Sequence, residues 1–154
     1  MIRKPEEFRI EYKEHMRDGD GTVQLTHFIT GPEELNGKGR LFAKITLNPG
    51  CSIGYHVHEG DAELFYILKG TAEYNDAGEI RTVTAGDVTI CPAGTGHGIA
   101  NKTDEVRVSR GDCIRVIFRN SPVNRDLWSR ASCRRLILQH IPRRLTSQES
   151  CVED

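Results

Sequence analysis

His56 and His58 stand one residue apart in the segment Gly50-(5)-His56-Val57-His58-(4)-Glu63-(6)-Gly70, and a second spaced segment follows, Gly86-(5)-Pro92-Ala93-Gly94-(2)-His97-(3)-Asn101. Three imidazoles and one carboxylate are donors suited to first-row divalent ions such as Mn, Fe, Ni, Cu or Zn. Magnesium and calcium would want oxygen donors instead. His56, His58, Glu63 and His97 are therefore candidate ligands of one divalent transition-metal ion. In an octahedral field such a set leaves two coordination positions for water, substrate or oxygen, and open positions mark catalytic rather than closed structural sites.

Positioning these side chains requires strands. Side chains alternate between faces along a strand, so His56 and His58 point the same way and can grip one ion. The turn-like stretch Glu59-Gly60-Asp61-Ala62 lets the chain reverse and bring Glu63 back on an adjacent strand. His97 must then arrive from a third strand. Alternation predicts an early strand around Val23 to Ile29, another from Arg40 to Asn48, and a continuously apolar one from Leu64 to Lys69, as expected of a strand covered on both faces. Asn75-Asp76-Ala77-Gly78 marks a hairpin turn, followed by strands at Ile80 to Thr84 and Val88 to Cys91. Tyr55, Phe65 and Ile99 are candidates for an apolar wall around the ligands, and His27 reads as a packed or hydrogen-bonded residue rather than a fifth ligand.

Both segments match, with every spacing intact, two consensus motifs of the cupin superfamily, and the chain resembles a small single-domain cupin. The resemblance covers Leu41 to Asn101, extending more weakly to the N-terminus and to about Phe118. It implies an all-β fold, a double-stranded β-helix (jelly-roll) barrel, with a metal held near its mouth by His56, His58, Glu63 and His97. It also implies a homodimer, because such barrels pair through an exposed sheet. The cupin β-barrel domain is thus expected over residues 1–118, with an Arg-rich C-terminal extension, 119–154, outside the resemblance.

Length and composition agree with one domain: 154 residues suffice for a single core, and 15 glycines suit many short strands joined by turns. The absence of any run of eighteen apolar residues predicts no transmembrane helix. The opening Met1-Ile2-Arg3-Lys4-Pro5-Glu6-Glu7 lacks the apolar stretch of a secretory signal. The five cysteines are scattered without a Cys-x-x-Cys pair and read as reduced thiols. A cytoplasmic protein is the expectation. Cys91, beside Pro92 in the second segment, reads as a buried, inert thiol.

Charge is divided unevenly: residues 1–101 carry a net −5 and residues 102–154 a net +4. Cys113-Ile114-Arg115-Val116-Ile117-Phe118 offers an apolar closing strand for the barrel, flanked by Arg107, Arg110 and Arg119. Any of Arg107, Arg110 or Arg115 could clamp a substrate carboxylate through a bidentate fork. Leu127, Trp128, Ala131, Leu136, Ile137, Leu138 and Ile141 have loosely helical spacing, which predicts a short amphipathic helix ending at Pro142. No aromatic platform or nucleic-acid motif accompanies the arginines, so they read as a solvated face and nucleic acid is not an expected partner.

Two function classes follow. One is a metal-dependent enzyme acting on a small polar or carboxylated molecule by dioxygenase, decarboxylase, isomerase or lyase chemistry. The other is a non-catalytic small-molecule binding or sensor module using the same pocket. No acid or base residue announces itself.

Overall fold

Alternation of apolar and polar side chains along much of the sequence favours strands, and ten are found among the described residues. The computed structural model describes residues 1–103 and 111–119. The strands are β1 (Arg9–Glu14), β2 (Thr22–His27), β3 (Gly39–Leu47), β4 (Ser52–Val57), β5 (Asp61–Lys69), β6 (Thr71–Asp76), β7 (Glu79–Thr84), β8 (Val88–Cys91), β9 (Gly96–Ala100) and β10 (Gly111–Arg119). They form an antiparallel six-stranded sheet, in the order β1-β2-β3-β10-β5-β8, and an antiparallel four-stranded sheet, in the order β4-β9-β6-β7. This is the jelly-roll barrel that the sequence predicts, and the core lies between the inner faces of the sheets.

On β2 the inward side chains are Val23, Leu25 and His27, and on β3 they are Ala43, Ile45 and Leu47. Val23, Leu25, Ile45 and Leu47 form one cluster with Phe65 and Ile67 of β5 and with Ile53, Tyr74 and Ile99 of the smaller sheet. Burying side chains of this size removes roughly 1.5–3 kcal/mol of exposure each for Val, Leu, Ile or Phe. The Ala77-Gly78 turn between β6 and β7 has φ of 52° and 100°, the paired positive values of a type I′ hairpin.

The closing strand is present and central. β10 pairs with β3 on one side and β5 on the other, so Cys113, Arg115 and Ile117 face inward while Ile114, Val116 and Phe118 face out. The continuously apolar stretch after Glu63 differs from the expectation of burial on both faces. Phe65 and Ile67 are buried, whereas Tyr66 and Leu68 stand 46% and 43% exposed on the outer face. Nothing among the described residues covers that face. The amphipathic pattern from Leu127 to Ile141, Arg107, Arg110 and the rest of the extension beyond Arg119 lie outside the described residues.

Candidate metal centre

The bulge in the β4–β9 pairing between Ile53 and His56 re-phases β4 and turns His56 inward beside His97, its register partner on β9. His58 follows the end of β4. Glu63 comes from β5, which belongs to the other sheet. The expectation of an adjacent strand is therefore corrected: the Glu59–Ala62 reversal carries the chain across the barrel, and Glu63 faces the imidazoles over the interior. All four side chains meet, with one donor atom from each lying within 4.8 Å of the others. His58, Glu63 and His97 are 2%, 0% and 1% exposed, so the cluster is sheltered from bulk water.

The second nitrogen of each ring fixes its orientation. His56 Nδ1 donates to the Gly54 carbonyl at 3.0 Å, because a carbonyl can only accept. His58 Nδ1 donates to Asp61 Oδ1 at 2.7 Å, and Asp61 Oδ2 in turn accepts Arg40 Nε at 2.6 Å. His97 Nδ1 meets the Tyr74 hydroxyl at 2.8 Å, and its ring stacks on Phe65 at 5.4 Å between centroids. With Nδ1 engaged in each case, the Nε2 atoms are left to face one another. His56 Nε2 is buried with no hydrogen-bond partner. His58 Nε2 lies 3.1 Å from both His97 Nε2 and Glu63 Oε2, while Glu63 is 3.9 Å from His56 Nε2 and 3.7 Å from His97 Nε2.

These residues fit a divalent ion. Donors at right angles around an ion at about 2.1 Å lie about 3 Å apart, close to the shorter separations here. Converging imidazole lone pairs, an orphaned ring nitrogen and a carboxylate are the chemistry a cation satisfies, and outward Nδ1–H bonds are the usual support of metal-binding histidines.

Glu63 also faces Arg115. The guanidinium donates from Nε and Nη2 to the two carboxylate oxygens at 2.6 and 2.7 Å, and the pair is buried. Burial pushes the Glu63 carboxyl up, but His56, His58 and Arg115 outweigh it and hold the group well below the usual carboxylate range. Asp61 is likewise lowered, with His58 and Arg40 overcoming its burial. The Glu63 bond, helped by Asp61, raises His58. Burial pushes His97 down to about 4. The ring of His97 is thus neutral at pH 7, the form able to donate a lone pair.

Of the candidate wall residues, Phe65 and Ile99 are buried beside the cluster, and Tyr55 points outward, half exposed, because it alternates with His56. His27 is buried against Glu11 at 2.8 Å and takes no part in the cluster. Cys91 lies opposite Glu63 in the β5–β8 register, but its thiol contacts Thr95 and burial raises its pKa. Arg115 does clamp a carboxylate, though it is Glu63 of the same chain. Sequence reasoning missed Asp61, three residues after His58, and Tyr74. It also missed a cavity of about 420 Å³ lined by Lys13, His15, Arg17, Arg40, Leu41 and Arg115 among others.

Comparison with known proteins agrees with the fold. The family model of the cupin domain matches residues 43–110. An oxalate-binding protein of Thermotoga maritima is 39% identical over 101 residues, which span 66% of this chain and 83% of the relative. The crystal structure of a predicted oxalate decarboxylase from Thermotoga maritima superposes with a TM-score of 0.71 at 34% identity, covering 78% of this chain and 100% of that one. A putative sugar phosphate isomerase from Acidithiobacillus ferrooxidans shares the fold, with a TM-score of 0.53 at 18% identity over 64% of this chain and 60% of its own. With its two sheets, its histidine and glutamate cluster and these relatives, the chain belongs to the cupin family.

Proposed function

We propose that the protein is a metal-dependent cupin enzyme acting on a small polar or carboxylated molecule, with His56, His58, Glu63 and His97 holding one divalent transition-metal ion. The observation that carries this reading is the convergence of three imidazole Nε2 atoms and a carboxylate whose donors lie within 4.8 Å. When bound, such an ion supplies Lewis-acid polarisation of a substrate oxygen and, if it is iron or manganese, access to one-electron chemistry. The chain's own part is to fix the rings through Gly54, Asp61 and Tyr74. Phe65 and Ile99 exclude water from the centre. Oxalate, named for the Thermotoga relative, is the first substrate to try.

The test is elemental analysis after reconstitution, followed by turnover of carboxylate, diketone and sugar panels. Metal uptake and turnover that are both lost in His58→Ala are the expected result; no uptake after careful reconstitution would sink the reading. A second reading, a non-catalytic carrier or sensor, is favoured by the name of that same oxalate-binding relative. Ligand-induced stabilisation without turnover by the metal-loaded protein would select it.

The functional unit in this reading is residues 1–118, with 119–154 outside it. Its partner, besides the small molecule, is a second copy of the chain. The outer face of the six-stranded sheet aligns Ile90 with Leu64 and Val88 with Tyr66, next to Val116 and Phe118. An apolar patch of this kind on one face offers the self-complementary surface that two-fold pairing needs. Among the described residues Cys51, Cys91 and Cys113 form no disulfide, as a reducing setting would leave them. No helix among the described residues is long and apolar enough to cross a membrane.

A further inference from the structure

A guanidinium has two edges that can each bind a carboxylate, and Arg115 uses one of them within the chain. Glu63 occupies the side edge, taking Nε–H and one Nη2–H. The end edge, made of Nη1 and the remaining Nη2–H, forms no hydrogen bond to any described residue. Arg115 also lines the 420 Å³ cavity. A volume in that range admits a small organic molecule.

Four cations reach this cavity, and one of them, Arg115, is already paired with Glu63. Lys13, Arg17 and Arg40 line it together with Arg115, against one acid, Glu14. Glu11 partly offsets Lys13 at 3.4 Å, and Asp61 holds Arg40 at 2.6 Å. Arg17 has no acidic partner among the described residues. The rest of the lining is mixed, with Met16, Leu25, Leu41 and Ile117 beside His15 and His27. Apolar side chains beside an unpaired cation suit an organic anion, and the two in-plane N–H donors of the free Arg115 edge match a planar carboxylate.

We infer that this cavity is an anion subsite in which the carboxylate of a small organic acid takes the free end edge of Arg115, with Arg17 at the rim supplying the second cationic contact. The inference names the substrate class of the proposed metal centre and in that sense rests on that reading, but the anion contacts involve no metal. It makes Arg115 the element shared by both halves of the site, carrying Glu63 on one edge and the incoming carboxylate on the other.

Isothermal titration calorimetry on the full chain, both chelator-treated and metal-loaded, tests it with malonate, neutral malonamide and inorganic phosphate. Malonate should bind both forms, malonamide should give no measurable heat, and phosphate should bind at least about tenfold more weakly because the fork is matched to a planar anion. Arg115→Lys should weaken malonate by about tenfold or more, since an ammonium cannot form the fork. Arg17→Asn keeps a residue tolerant of the left-handed backbone that Arg17 adopts at φ 58°, and removes only the rim charge. It should weaken malonate by about threefold, the size expected of one partly screened cation, so the inference stays testable even if the buried Arg115 variant does not fold. Failure of malonate to bind, equal affinity for malonamide or phosphate, or wild-type affinity in both variants would overturn it. If malonate binds and no metal does, the metal-centre reading falls alone; if metal binds and malonate does not, the subsite falls alone.

Discussion

Asp61 accepts the Nδ1–H of His58 at 2.7 Å, from three residues further along the chain. That contact points His58 Nε2 at Glu63 and His97, and it ties the cluster to Arg40 through the second carboxylate oxygen. Asp61→Asn keeps the shape but removes the charge that makes His58 a strong donor. Metal affinity should fall by about 10- to 100-fold, the usual penalty for losing such a partner. Competition with a fluorescent chelator measures it, and unchanged affinity would remove Asp61 from the site's support.

The Glu63–Arg115 pair predicts a large and asymmetric response to mutation. Arg115→Met leaves a buried carboxylate without its cation and should destabilise the chelator-treated protein by about 3–5 kcal/mol. Adding Glu63→Gln to it should recover much of that loss, since no buried charge then remains. Urea denaturation of the single and double variants gives the comparison; a double variant no more stable than Arg115→Met would show that the pair is not electrostatically coupled.

Acid should destabilise the metal-free protein before ordinary carboxylates titrate. Burial holds His97 at about 4 against 6.5 for a free imidazole, so between these values the unfolded chain binds a proton that the folded one refuses. Stability therefore falls as pH drops from 6.5 to 4. His58 does not oppose this: its raised pKa makes its contribution complete below 6.5 and lost only as pH rises through the folded value. Glu63 and Asp61, both lowered, extend the loss once pH drops through the carboxylate range. Urea midpoints from pH 7 to 4 should decline in wild type and decline less in His97→Gln.

Tyr66→Glu places a charge in the middle of the outer apolar face, where Tyr66 is 46% exposed. Light scattering coupled to size-exclusion chromatography should show a dimer for wild type and a monomer for the variant, with little change in monomer stability. A wild-type monomer would remove the second copy from the proposal.

The tight turn over β4 is sensitive to one methyl group. A Cβ on Gly54 would run into the Arg17 carbonyl, and one on Gly19 would strike the backbone of Ser52 and Gly54. Gly54→Ala should cost about 1–3 kcal/mol by this overpacking, and because the Gly54 carbonyl also orients His56, it should weaken metal binding as well. Thermal melts with and without metal separate the two effects.

The clustering of His56, His58, Glu63 and His97 was legible because residue type and the cupin motif spacings pointed to it, and the strands from β3 to β8 were legible because alternation and glycine turns bound them. β1 was not: Ile10 and Tyr12 alternate with Arg9, Glu11 and Lys13, but only two apolar residues carry the pattern and the strand has no buried face. The turn after it was hidden for another reason. His15, Arg17 and Asp18 all adopt positive φ, which Arg17 does not announce and which His and Asp only favour without specifying. Arg115 was one of three candidate clamps, and parity singles it out, since it shares a face with Cys113 and Ile117 and must point inward with them. Its pairing with Glu63, 52 residues away, depends on β10 entering between β3 and β5, which local sequence does not encode.

The division of the cluster between two sheets has a mechanical consequence. His56 and His97 belong to the four-stranded sheet and Glu63 to the six-stranded one, so an ion gripped by all of them would act as a rivet through the barrel wall. Pulling the sheets apart would then require breaking coordinate bonds as well as separating apolar faces. Amide hydrogen exchange in β5 and β9 should slow together on metal loading, although the two strands share no hydrogen bond.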